Sequence, residues 1–298
     1  MGGEERCVVE LRSAGRGLAV DAPAALVGSW WPQVAPHLPG VAPGGVPVAA
    51  RAGVRPVAVP GGAGMADVRR WLGAYLHRLH LAHGTLCAHA VCVQPPDGGG
   101  AVVLLGGHGA GKTLVALALA GHGWRVLAGD VALLDCSDGD RPSVLGGTRA
   151  MVVRCRATAR WFAELGLPPE GSAVVEVSDR PGLAVAAPGG PVAVAAGLVV
   201  DVDGGLSAAD AAPEPVDRHT AANTWLRASG HLLDRVLETP VGPALREVED
   251  HPAHLRRLAF VRTLAGRLPL YAVSGTPERI AAHAARLAAG HQRAPGVC

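Results

Sequence analysis

Gly106-Gly107-His108-Gly109-Ala110-Gly111-Lys112-Thr113 matches the pattern G-x-x-x-x-G-K-[ST] in full, and its flanks supply the setting that pattern requires. Ahead of it, Ala101 to Leu105 reads as a buried strand; behind it, Leu114 to Ala120 is a strong helix former ended by Gly121 and Gly123. A strand running through a glycine-rich loop into a helix N-terminus makes a phosphate cradle. The glycines let the backbone wrap a phosphate so that successive N–H groups point inward, and the helix end adds partial positive charge. On this reading residues Gly106 to Thr113 bind a nucleotide, Lys112 bridges its β- and γ-phosphates, and the Thr113 hydroxyl reaches Mg²⁺. ATP and Mg²⁺ are therefore the expected cofactors.

Composition sharpens this. Of 27 basic residues only Lys112 is a lysine; all the others are arginine. A chain that uses Arg wherever a generic positive charge is wanted has kept a compact ammonium where a planar guanidinium would collide with a backbone cradle. At 298 residues and 49% hydrophobic content the chain can bury a sizeable core, enough for one α/β domain with a smaller appendage. A net charge of +2, with no basic stripe, argues against a nucleic-acid partner. Cys7, Cys87, Cys92, Cys136, Cys155 and Cys298 include no C-x-x-C pair, so neither a zinc site nor a disulfide framework is expected. The charged N-terminus, without an apolar run of about 20 residues, leads to the expectation of a cytoplasmic protein with no membrane partner.

Outward from the loop, residues 1–64 read as a small separate N-terminal unit, with a strand signal at Cys7 to Leu11 and Pro/Gly punctuation from Pro32 to Gly64. The remainder, 65–298, reads as the domain carrying the loop. It opens with an amphipathic helix in which Val68, Trp71, Leu72, Tyr75, Leu76 and Leu79 recur at helical spacing. His77, His80 and His83 lie on that helix, but two steps of three turn the third side chain away by about 60°, so a solvated face is expected rather than a metal site. Residues 89–94 and 101–105 form a hairpin across the turn Pro95 to Gly100. Further strands are expected at Arg125 to Ala128, Ala150 to Val153, Ala173 to Val177 and Gly197 to Val202, with a polar turn over Asp138 to Gly147 and a short helix over Arg160 to Leu165. Helices follow at Thr224 to Leu237 and His254 to Leu264, and a last one opens at Thr276-Pro277-Glu278, with Thr as N-cap and Pro in the first turn.

A hairpin feeding the phosphate loop differs from the parallel order of most such folds. The run from His89 through the hairpin and loop to Gly121-His122-Gly123-Trp124-Arg125-Val126-Leu127-Ala128-Gly129-Asp130 resembles the HPr kinase/phosphorylase superfamily, especially its kinase-like branches. The resemblance covers about residues 86–135, is weaker in the tail around Arg267 to Val273, and does not reach 1–64. It implies an α/β P-loop kinase core with the mixed sheet shared with ATP-dependent phosphoenolpyruvate carboxykinases, a small N-terminal domain and a helical C-terminal part. It also implies that Lys112 and Thr113 are nucleotide and Mg²⁺ ligands, that Asp130 is the second member of an Asp-Asp pair, and that His89 is the histidine of the strand before the loop. Three departures stand out: Gly129 replaces the first acid of the pair, His108 stands where Ser is usual, and the Glu-x-Arg-Gly-x-Gly segment of the bifunctional enzymes has no counterpart. A one-way kinase is therefore expected over a reversible phosphorylase.

In such a reaction positioning and charge neutralisation dominate. Asp130 either takes the proton of the acceptor hydroxyl or ligates the metal, and His89 orients it or shares its charge. Arg149 and Arg154, flanking Ala150 to Val153, are candidates to clamp an acidic or phosphate group on the acceptor, with surface charge as the plainer role. Asp201 and Asp203 imitate a Walker-B strand end, although an ordinary turn is expected there. The acceptor expected from the resemblance is Ser or Thr of a peptide or small protein, such as a ribosomally made peptide natural-product precursor. A small-molecule hydroxyl and a non-catalytic nucleotide-dependent module, the latter motivated by Gly129, are the alternatives. The bifunctional relatives would imply a homo-oligomer.

Overall fold

A computed structural model describes residues 5–51, 53–137, 141–176, 190–202, 212–239 and 242–292. The protein is an α/β chain with mixed sheets and several helices. The N-terminal sheet is built on the antiparallel hairpin Arg6–Ser13 and Arg16–Pro23, edged by Val48–Ala49 and Val57–Ala58. It does not close its own core. Val9, Leu11, Val20 and Leu26 pack with Val68, Trp71, Leu72 and Leu76 of the helix Met65–Ala82, and with Leu233, Leu245 and Val248 near the other end of the chain. The expected boundary at 64 is thus where sheet gives way to helix, within one shared core.

That helix is enclosed from two sides, which corrects the reading of its histidines. His77 and His80 are fully buried and only His83 is exposed. The Ser13 hydroxyl donates to Pro39 O and lies 2.6 Å from His80 Nε2, while His77 Nε2 lies 3.6 Å from Glu249. Helical spacing counts apolar residues on one face and cannot register a second packing surface formed by residues 170 positions away.

The large sheet carries the glycine-rich loop Gly106 to Thr113. Ala101–Leu105 pairs antiparallel with Val91–Gln94 and parallel with Val192–Val202, which pairs in parallel with Leu270–Gly275. The expected hairpin is present, but the chain breaks at Ala90. Thr85–His89 is a separate strand that pairs antiparallel with Val131–Asp135, so His89 ends that strand rather than opening the one before the loop. The helices Lys112–Gly121 and Pro277–Gln292 cover one face, sharing a core with Val102, Leu104 and Leu198; Arg218–Gly230 and His251–Arg267 cover the other through Trp225, Val261 and Leu264. Thr276 caps the last helix, its Oγ1 accepting from Arg279 N at 3.3 Å.

Other expectations shift. Ser143–Gly147, within the expected polar turn, is a strand; that turn's residues 138–140, like Val177, Asp203 and Cys298, lie outside the described residues. The short helix occupies Cys155–Ala159, with one 3₁₀ turn at Ala163–Leu165 in place of a helix over 160–165. The helix expected at 224–237 runs Arg218–Gly230, started by Asp217, whose carboxylate accepts from His219 N and Thr220 N. No helix among the described residues is long and apolar enough to cross a membrane.

Candidate functional site

Gly111 precedes the helix Lys112–Gly121 with φ +91°, and a Cβ there would sit 2.3 Å from Val202 Cγ2. Only glycine permits that turn, and the turn presents the helix's first N–H groups, which have no intrahelical acceptor, to the loop. Lys112 is nearly buried, and its ammonium donates to Gly106 O at 2.9 Å and Gly107 O at 3.1 Å. Burial lowers its pKa to about 8, and the charge of Asp130 works in the opposite direction. The loop opens on a cavity of about 210 Å³ whose walls include His108, Lys112, Thr113, Asp130, His89 and Arg154. The cavity therefore brings the loop residues together with both residues expected to do acid–base work.

What places His89 and Asp130 side by side is the meeting of the two halves of the sheet. His89 ends one strand and pairs with Val131, while Ala90 N donates to Asp130 O at 3.0 Å. Thr148 straps the junction: its buried hydroxyl accepts from Asp130 N at 2.9 Å and Val131 N at 3.0 Å, and its carbonyl accepts from Gly129 N at 2.7 Å. Gly129, the position where the resemblance implies an acid, is packed against the strand Ala150–Arg154. A Cβ there would lie 2.7 Å from Ala150 O and 2.8 Å from Met151 Cγ. The missing carboxylate thus has a packing cause.

Both carboxylate oxygens of Asp130 are engaged, Oδ1 at 3.3 Å from His89 Nε2 and Oδ2 at 3.4 Å from Arg235 Nη2. Burial acts to raise its pKa, but the hydrogen bond and charge of His89, with the charge of Arg235, outweigh it and hold the carboxyl well below the usual range. His231 stacks on His89 with ring centroids 3.9 Å apart, and its Nε2 lies 2.7 Å from Arg235 Nη2. Since a guanidinium only donates, Nε2 accepts, which places the ring proton on Nδ1. Burial first, then the charges of His89 and Arg235, lower its pKa to about 3, so it is neutral at pH 7.

His89, Asp130 and His231 bring ligand atoms within 4.8 Å of one another. Two imidazoles suit borderline transition metals better than Mg²⁺, a hard ion that takes oxygen. His231 Nε2 is also already committed to Arg235. The donors that fit Mg²⁺ are the Thr113 hydroxyl and the Asp130 carboxylate, both on the cavity wall.

The two arginines expected to clamp an acceptor separate. Arg154 lies against the loop, so that a Cβ at Gly109 would be 3.1 Å from its Nη1. Arg149 is ion-paired with Glu176 and does not line the cavity. Asp201 is exposed near the end of the strand Val192–Val202 and lines no part of the cavity. His231, Arg235 and Thr148 escaped the sequence reading. His231 and Arg235 sit about 100 residues beyond Asp130 with only an i, i+4 spacing to mark them, and the helix that spacing suggested ends at Gly230. No protein-family model matches this chain, and no curated protein is significantly similar to it.

Proposed function

We propose that this chain is an ATP- and Mg²⁺-dependent kinase of the HPr kinase-like type. It transfers the γ-phosphoryl group to a hydroxyl, that of Ser or Thr in a peptide or small protein such as a ribosomally made peptide precursor. The observation that carries the reading is one cavity lined both by His108, Gly109, Gly111, Thr113 and the chain's sole lysine, Lys112, and by an ionised Asp130 paired with His89.

The loop amides and Lys112 bind the β- and γ-phosphates, the ammonium exchanging its carbonyl contacts at Gly106 and Gly107 for phosphate oxygens. Thr113, with the nucleotide, would hold Mg²⁺, which would neutralise phosphate charge; the Asp130 carboxylate is the other candidate ligand if it does not serve as the base. Arg154, against Gly109, adds a guanidinium on the open side of the loop. Asp130 accepts a hydrogen bond from the acceptor hydroxyl and aligns it for attack on the γ-phosphorus. Its depressed pKa makes it a poor proton store, so the proton moves to it only as the new P–O bond forms and the bond to the β-phosphate breaks. His89 and Arg235 fix the carboxylate, and neutral His231 fixes His89 by stacking.

Exposed Val152 and Val174, paired across the ribbon Ala150–Arg154 and Ser172–Glu176 at the cavity edge, offer apolar surface to a peptide chain. The test is mass spectrometry of Ser- and Thr-containing peptides encoded beside the gene after incubation with the protein and Mg·ATP, with Lys112→Ala as control. One added phosphoryl group, absent with the variant, is the expected result. Transfer that persists in Lys112→Ala, or none to any peptide or small hydroxyl compound despite ATP binding, refutes the proposal.

A further inference from the structure

Asp130 and Val152 have two sides. One faces the phosphate-loop cavity, and the other faces a second cavity of about 40 Å³ lined also by His37, Arg69, Arg70 and Arg235. Its size admits about one or two waters, or a single small polar group, and nothing approaching a nucleotide. Its walls come from five parts of the chain: the N-terminal unit, the helix Met65–Ala82, the Asp130 junction, the strand Ala150–Arg154 and the segment after Gly230.

Among the residues that line it, the guanidiniums of Arg69, Arg70 and Arg235 face the single carboxylate of Asp130, and Glu238 acts on Arg69 only from outside the lining. Arg70 is spent on Asp67 at 2.9 Å and Glu238 at 2.8 Å. Asp130 meets Arg235 and thereby offsets one of the two remaining guanidiniums. Arg69 makes no hydrogen bond or ion pair among the described residues, and its buried Nε has no acceptor. His37 adds no further positive charge; it is kept neutral at pH 7, chiefly by burial and then by Arg69. A half-buried guanidinium that lines the same cavity as a second one, and has no hydrogen-bond partner among the described residues, is an arrangement that suits an anion.

We infer that this cavity receives an anionic group, carboxylate or phosphate, carried by the phosphoryl acceptor close to its reacting hydroxyl, and that Arg69 is its principal ligand with Arg235 assisting. The inference rests on the kinase reading and deepens it. With the anion on Arg69 and Arg235, the rest of the acceptor passes Val152 and its hydroxyl arrives at Asp130, on the side facing Lys112. Binding also supplies Arg69 with the acceptor it lacks, so an acceptor molecule without an anion leaves Arg69 unsatisfied. That is a specificity device, because a buried donor without a partner penalises the wrong ligand more than its hydrogen bond rewards the right one.

The experiment uses full-length protein saturated with Mg²⁺ and a non-hydrolysable ATP analogue, so that the phosphate loop is filled. Calorimetric titration with inorganic phosphate and, separately, with acetate is compared for wild type, Arg69→Gln, and Arg78→Gln, an exposed change of equal charge on the same helix. The expected result is binding of at least one anion, weakened roughly 10- to 100-fold by Arg69→Gln and unchanged by Arg78→Gln. Binding of phosphate alone assigns a phosphorylated acceptor, and binding of acetate alone a carboxylate-bearing one. If the analogue binds but neither anion does, or Arg69→Gln binds them as wild type does, the inference is overturned while the kinase reading stands. If the analogue itself does not bind, the nucleotide reading fails and the acceptor assignment falls with it.

Discussion

Thr148→Val tests whether the Asp130 junction is held as described. The exchange is nearly isosteric and removes one oxygen, the acceptor for both Asp130 N at 2.9 Å and Val131 N at 3.0 Å. Leaving a buried backbone donor without its partner costs about 1–3 kcal/mol. Val131 is fully buried, whereas the Asp130 side chain is 28% exposed and water can partly compensate there, so a total of about 2–4 kcal/mol is expected. Against a typical stability of about 5–15 kcal/mol the variant still folds. Thr148→Ser keeps the oxygen and gives up one buried methyl, a loss of about 1 kcal/mol. Urea unfolding at pH 7.5 reads both variants. The midpoint should fall with the slope unchanged, in the order wild type, Ser, Val. Phosphoryl transfer should drop in the Val variant more than Mg·ATP affinity does, because the strap holds Asp130 and not the loop. A Val variant as stable as the Ser variant, or within about 0.5 kcal/mol of wild type, refutes the strap.

Asp130→Asn should leave nucleotide binding nearly intact and lower phosphoryl transfer by about 10² to 10⁴; loss of Mg²⁺-dependent ATP binding instead would reassign Asp130 to the metal. Gly129→Asp, which restores the acid that the resemblance implies, should destabilise by about 1–3 kcal/mol or more and not raise turnover, since its Cβ meets Ala150 O at 2.7 Å; a variant that is both stable and faster contradicts the packing argument. Acid should weaken the fold from pH 6.5 downward. His80, chiefly through burial, has its folded pKa lowered from 6.5 to about 4, so between those values the unfolded chain binds more protons and stability falls with pH, by at most about 3 kcal/mol. Glu249, where His77 at 3.6 Å and the hydrogen bonds of Arg257 and His254 outweigh burial to set a folded value of about 2, adds a loss below its ordinary 4.5. Thermal melts of His80→Gln, whose amide can still donate to Ser13, should show a smaller loss between pH 6.5 and 4.5; an unchanged slope removes His80 from the account.

The contrast between Lys112 and Arg235 shows what was legible. Lys112 announces itself because the motif is local: eight consecutive residues, a strand before and a helix after fix its surroundings within one turn of chain. Arg235 is one arginine among 26, and it matters only because residues 231–235 pass beside a junction about 100 positions earlier. Arg149 and Arg154 were alike on paper. Their side chains diverge because Arg149 finds Glu176 on the neighbouring strand whereas Arg154, at the strand end, reaches Gly109.

By itself the sequence determined the glycine-rich loop, the hairpin that feeds it and the helix that follows, because each rests on periodicity or on glycine and lysine chemistry within a short span; Asp130 became a candidate through the family resemblance. Only the tertiary structure decided that His89 ends one half of the sheet and meets Asp130 across its junction, that Gly129 has no room for a side chain, that His77 and His80 are core, and that Arg69 faces Asp130 through a second cavity. Those facts depend on which surfaces come together after the chain has folded, and burial and charge balance belong to the assembled neighbourhood rather than to any residue's place in the sequence.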